Sequence, residues 1–79
     1  MKIIIEVEGG LVVRVTSDIQ DTEVLVVDYD CEGCDEHEIS KIGNDECTFW
    51  LGIADDNPEW IEQAFTKAGQ IATEKEKIN

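Results

Sequence analysis

Cys31, Cys34 and Cys47 are the chain's three cysteines and His37 is its single histidine; two of the thiols and the imidazole stand as Cys31-x-x-Cys34-x-x-His37. Thiolates and an imidazole on a knuckle-like loop, joined by Cys47 from further along, could close around zinc as a Cys₃His set. The spacing matches no common zinc motif, and Cys47 opens an alternating stretch in which it reads as a small buried hydrophobe. Carboxylates crowd the same loop and raise the cost of forming thiolates in the absence of a cation. The expectation is no resident metal and no cofactor, with a metal-binding module on Cys31, Cys34, His37 and Cys47 as an alternative.

Asp28-x-Asp30-x-Glu32-Gly33 copies the first half of a calcium loop, with oxygen ligands at alternate positions before a turn glycine. The bidentate acid required at the twelfth position is Ile39, and a strand rather than a helix is expected to lead in, so only adventitious calcium binding is expected. Catalytic sets are missing. The serines, Ser17 and Ser40, form no evident nucleophile, base and orienter with His37. Carboxylates abound, but general-acid chemistry needs one in an apolar pocket, for which a small sheet has little room. The chain reads as a binding protein and not as an enzyme.

Nineteen acids against six bases give a net charge of −13. Repulsion excludes direct contact with nucleic acid and with anionic membranes. The distribution says more than the total. From Val15 to Ser40 there is no Lys or Arg, while Asp18, Asp21, Glu23, Asp28, Asp30, Glu32, Asp35, Glu36 and Glu38 all fall there. A surface made only for solubility intersperses both signs. Asp28, Asp30, Glu32, Asp35, Glu36 and Glu38 are the candidate binding residues, reinforced by Asp18, Asp21 and Glu23. Trp50, on the outer face of its strand, is the candidate interface anchor.

The elements that must position these groups follow from periodicity. Seventy-nine residues make one domain with a small core, and a 42% hydrophobic fraction argues against disorder. Lys2 to Val7 alternates, with Ile3, Ile5 and Val7 on one face; Leu11 to Val15 alternates again, and Gly9-Gly10 between them marks a hairpin. Val24 to Val27 is apolar on both faces and reads as a central strand. Glu46 to Ile53 predicts a fourth strand with Cys47, Phe49, Leu51 and Ile53 inward and Thr48 and Trp50 outward. Asn57 as N-cap, Pro58 at the first helical position and Glu59 open a helix with apolar residues at Trp60, Ile61, Ala64, Phe65, Ala68 and Ile71, fraying after Thr73. The expected fold is α+β: a four-stranded antiparallel sheet in the order β-β-β-β-α, with the helix on one face. No apolar run approaches a membrane span, and Met1 to Glu6 reaches an acid too early for a secretory segment, so reduced thiols and a cytoplasmic location are expected.

Ile3-Ile4-Ile5-Glu6-Val7-Glu8-Gly9-Gly10-Leu11-Val12 and Val24-Leu25-Val26-Val27-Asp28-Tyr29-Asp30-x-x-Gly33 resemble a group of small acidic proteins encoded by phages, plasmids and integrative elements. The resemblance covers about the first forty residues, and in that pattern the positions of Cys31 and Cys34 are not typically cysteine. It implies an accessory gene of a mobile element, many of which antagonise host defence, acting inside a bacterial host. The leading expectation is an inhibitor that sets its acids against a basic, nucleic-acid-binding groove of another protein, as carried by defence nucleases and CRISPR effector complexes. Besides the metal-binding module, the other alternative is an assembly factor that forms a homodimer through an exposed strand edge.

Overall fold

Gly9 and Gly10 adopt φ of 59° and 80° in a computed structural model that describes residues 1–78, and this pair of left-handed conformations closes the first hairpin. It joins β1 (Ile3–Glu8) to β2 (Leu11–Ser17), antiparallel, with Glu8 opposite Leu11. The register slips between Glu6 and Val7, because Glu6 pairs with Arg14 while Val7 pairs with Val12. Val13 is therefore the extra residue of a β-bulge, and it resets the alternation expected for Leu11 to Val15. One face now carries Ile3, Ile5, Val7, Val12 and Val15; the other carries Ile4, Glu6, Arg14 and Thr16.

The remaining elements are β3 (Glu23–Asp28), a 3₁₀ turn (Glu36–Glu38), β4 (Ser40–Ile42), β5 (Asp45–Ile53), β6 (Asp55–Asp56) and α1 (Pro58–Ile78). The strands form two three-stranded sheets, β1-β2-β6 and β3-β5-β4, in place of the single four-stranded sheet expected from the sequence. The first sheet is mixed, since β6 runs parallel to β2 with Thr16 opposite Asp55 and Ser17 opposite Asp56. In the second sheet all pairing is antiparallel. Two strands escaped the sequence reading. β6 is two acids long, and β4 turns into β5 through Gly43-Asn44, with Gly43 at φ 78°.

The described residues divide into two compact units, residues 1–22 with 54–78 and residues 23–53. In the first, α1 covers the Ile4, Glu6, Arg14 and Thr16 face of the sheet. The Lys2 ammonium lies 5.4 Å from the centre of the Phe65 ring, a cation–π contact across that layer. Ile61 and Thr16 are fully buried, while Ile5 and Val7, on the opposite face, are 60% and 63% exposed. Asn57 caps the helix as its sequence predicts: its Oδ1 accepts the Trp60 N–H at 3.1 Å and its own N–H donates to the Ser17 carbonyl at 3.1 Å. The helix continues through Ile78, past the fraying expected after Thr73.

The polar connection after β2 is held by three hydroxyl contacts. Ser17 Oγ accepts the Ile19 N–H at 3.1 Å and lies 3.1 Å from Thr22 Oγ1, which in turn donates to the Ile19 carbonyl at 2.9 Å. With Asp21 at φ 58°, this locks the turn, and the Ala54 N–H donates to the Thr22 carbonyl at 2.9 Å to bring the returning chain alongside.

The second unit is a single layer. β5 lies in the centre and β3 at an edge, which corrects the expectation that Val24 to Val27 forms a central strand. The physical reason is that β1 and β2 pair in the other sheet, so β3 has β5 as its one neighbour, and β5, paired on its other side with the short β4, takes the centre. Cys47 is buried as expected, but Phe49, Leu51 and Ile53 are exposed, not inward, because this unit contributes no second layer of its own. Among the described residues no helix is long and apolar enough to cross a membrane.

Candidate binding surface

Beyond β3 the chain enters the acidic loop through two successive Asx turns. Asp28 Oδ1 accepts the Asp30 N–H at 2.9 Å, and Asp30 Oδ1 accepts the Glu32 N–H at 3.3 Å. Gly33 then takes φ 84°, the Cys34 N–H donates to the Cys31 carbonyl at 3.1 Å, and the 3₁₀ turn closes with Glu38 N–H to Asp35 carbonyl at 2.9 Å. The loop is therefore shaped by its own carboxylates and backbone. Asp28 is half-buried; Asp30, Glu32, Asp35, Glu36 and Glu38 are exposed.

The reinforcing acids do not all belong to this unit. Glu23 begins β3 opposite Ile53, whereas Asp18 and Asp21 belong to the first unit. Asp18 has a structural task there, since its Oδ1 accepts the Lys2 backbone N–H at 2.9 Å and ties the start of β1 to the end of β2. Trp50 is 48% exposed, opposite Val26 on the face away from Phe49 and Leu51. Its ring lies along its own strand over Gly52: a Cβ at Gly52 would stand 2.5 Å from Trp50 Cζ2. The missing side chain of Gly52 is what lets an indole of this size lie flat on the sheet.

Among the described residues no group of three or more His, Cys, Asp or Glu side chains is arranged to hold a metal ion. Cys31 and Cys34 are half-buried free thiols, Cys47 is a buried one, and His37 is exposed in the 3₁₀ turn. Desolvation pushes the Cys31 thiol above its ordinary value, and electrostatic interaction with its neighbours Cys34, Cys47, Glu46 and Asp28 pushes it the same way. That environment disfavours the thiolate, so Cys31 is a poor nucleophile near neutral pH.

Sequence reasoning missed one surface. The register places Leu25 opposite Leu51 and Val27 opposite Phe49, with Ile53 and Cys47 on the same face of the second sheet. Alternation identified the face but could not show that no layer of the same unit covers it. No protein-family model, curated protein or solved structure matches the chain.

Proposed function

We propose that the protein is a non-enzymatic inhibitor whose acidic loop occupies a basic, nucleic-acid-binding surface of another protein, in the manner of an anti-defence factor of a mobile element. The observation that supports the reading is the run of exposed carboxylates from Asp30 to Glu38, held by Asx turns on a segment without one Lys or Arg. Carboxylates several ångströms apart on a shaped loop present a basic groove with part of the charge pattern of a phosphate backbone. Mutual repulsion of the acids in the free protein is relieved on contact with a cationic partner, which favours rapid, salt-sensitive association. Trp50 supplies an aromatic anchor on the same sheet.

The test is a quadruple variant, Asp28→Asn, Asp30→Asn, Glu32→Gln and Glu36→Gln. Asn keeps the Oδ1 acceptor of each Asx turn, so the loop shape is retained while four charges are removed. Binding to a nucleic-acid-binding defence protein, measured from low to high salt with a DNA or RNA competitor, should weaken by about tenfold or more and lose part of its salt slope. An unchanged affinity with an unchanged salt slope would show that the charge serves solubility alone.

A further inference from the structure

The Cys31 and Cys34 thiols bracket a hydrogen-bonded turn that the acidic-loop reading leaves unused. The Cys34 N–H donates to the Cys31 carbonyl at 3.1 Å, and Gly33 between them takes φ 84°. Glu32 is not among the residues of positive φ, so Cys31-Glu32-Gly33-Cys34 forms a type II turn with glycine at the position that requires it. A β-turn holds its first and fourth Cα atoms within about 7 Å. A disulfide joins residues whose Cα atoms lie about 4.4–6.8 Å apart, so the backbone already brings these two cysteines within bridging range.

The electrostatics agree with the backbone. After desolvation, Cys34 is the neighbour that raises the Cys31 thiol most, as a nearby sulfur does. Both residues are free thiols within residues 23–53, so the pair belongs to one compact unit. The lead-in is held too, since Asp30 Oδ1 accepts the Glu32 N–H at 3.3 Å. The third thiol, Cys47, stands outside the turn, on β5 opposite Ser40.

We propose that Cys31 and Cys34 are a dithiol modification site that closes to a disulfide across the turn by exchange with a small disulfide such as oxidised glutathione. The inference goes beyond the acidic-loop reading and does not depend on it. Exchange proceeds in two steps. The Cys34 thiolate attacks one sulfur of oxidised glutathione, forming a mixed disulfide and expelling one glutathione thiolate. The Cys31 thiolate then attacks the Cys34 sulfur and expels the second. The two thiols lose two protons and two electrons, and one oxidised glutathione becomes two reduced ones. Cys31 acts second because its surroundings disfavour its thiolate. That same lack of thiolate stabilisation gives the reduced pair no advantage of the kind that makes some pairs strong oxidants.

A turn held by the fold keeps the two sulfurs together and raises their effective concentration above that in an unfolded chain. The test equilibrates wild-type protein with a series of glutathione ratios, folded or in urea, then quenches with acid, alkylates and digests with trypsin. Cys31 and Cys34 then share the peptide 15–41, while Cys47 lies on 42–67. In the folded protein, peptide 15–41 should carry neither alkyl label nor glutathione, and dithiothreitol should restore both thiols. At one glutathione ratio, disulfide over dithiol should be about fivefold or more higher folded than in urea. Gly33→Ala, which strains the turn at φ 84°, should lower the folded value several-fold and leave the urea value unchanged. A folded value equal to or below the urea value would overturn the proposal, as would an unchanged folded value in Gly33→Ala. Glutathione that stays on peptide 15–41, or a bond from that peptide to the one carrying Cys47, would overturn it equally. The assay contains no partner protein, so failure of the acidic-loop reading leaves its outcome untouched.

Discussion

Gly52→Ala should destabilise the protein in the presence of Trp50 and stabilise it in its absence. The new Cβ would meet Trp50 Cζ2 at 2.5 Å, Cη2 at 2.9 Å and Cε2 at 3.1 Å, so the indole has to leave the strand it lies on. Because Trp50 is 48% exposed, it can swing outward, and the penalty lies at the lower end of the overpacking range, about 1–2 kcal/mol. Against it stands the entropy that Gly loses on folding, worth about 0.5–1 kcal/mol in favour of Ala in a strand. Gly52 is absent from the positive-φ glycines, so its backbone accepts a side chain without strain. The net effect in the wild-type background is a loss of about 0.5–1 kcal/mol, a fall of a few degrees in Tm for a domain of this size. In a Trp50→Ala background the clash is gone and the same substitution should raise Tm by a few degrees. Thermal and urea melts of the four proteins of this cycle, followed by circular dichroism, give the coupling directly. An equal effect of Gly52→Ala in both backgrounds would refute the packing of the indole on Gly52.

Other outcomes follow from single contacts. Asn57→Ala removes the acceptor of the Trp60 N–H and should cost about 1 kcal/mol, a Tm loss of about 4–8 °C in a thermal melt. Gly10→Ala forces a side chain to φ 80° in the hairpin turn and should cost about 1–2 kcal/mol, whereas Gly69→Ala in the helix should stabilise by about 1 kcal/mol, both read from urea midpoints. Cys31 should alkylate with iodoacetamide more slowly than an unhindered thiol at pH 8, with its rate midpoint displaced upward, because burial and neighbouring negative charge favour the neutral thiol. Mass spectrometry of the labelled peptides across a pH series reads the midpoint, and one at or below the ordinary thiol value would contradict that environment. Elemental analysis of the purified protein should find no stoichiometric zinc, and about one zinc per chain would restore the four-ligand set.

The parts of the fold that rest on local chemistry were legible in the sequence. Gly9-Gly10 marked the first turn, and Asn57-Pro58 marked the helix start, because in each case the residue satisfies a backbone requirement within a few positions. Alternation also grouped Cys47, Phe49, Leu51 and Ile53 on one face of β5. It could not report whether that face meets a second layer, which depends on partners distant in sequence. The bulge at Val13 was hidden because three consecutive valines or leucines fit either register equally well. β4 left a readable trace in Gly43-Asn44, a two-residue turn signal, while β6 left none, since two acids before a helix cap look like the lead-in to the helix. Of the candidate residues, the run from Asp28 to Glu38 was visible as composition; that Asp28 and Asp30 shape the loop and Asp18 ties β1 to β2 depends on backbone amides that no spacing reveals.

The hydrogen bond between Ala54 N–H and the Thr22 carbonyl has a kinetic consequence. The first unit is written in two pieces, separated by all of residues 23–53, so β6 can reach β2 only after that long stretch has brought its ends together. Closing a loop of this length is an entropic debt that must be met before the Thr16–Asp55 and Ser17–Asp56 pairs return anything. The β1-β2 hairpin, by contrast, needs only its two glycines and can form within microseconds. Residue contacts that are close in space and far in sequence slow folding. The topology thus favours early formation of the hairpin, with the β6 pairs and the hydrogen bond from the Asn57 N–H to the Ser17 carbonyl forming only once residues 23–53 have brought their ends together.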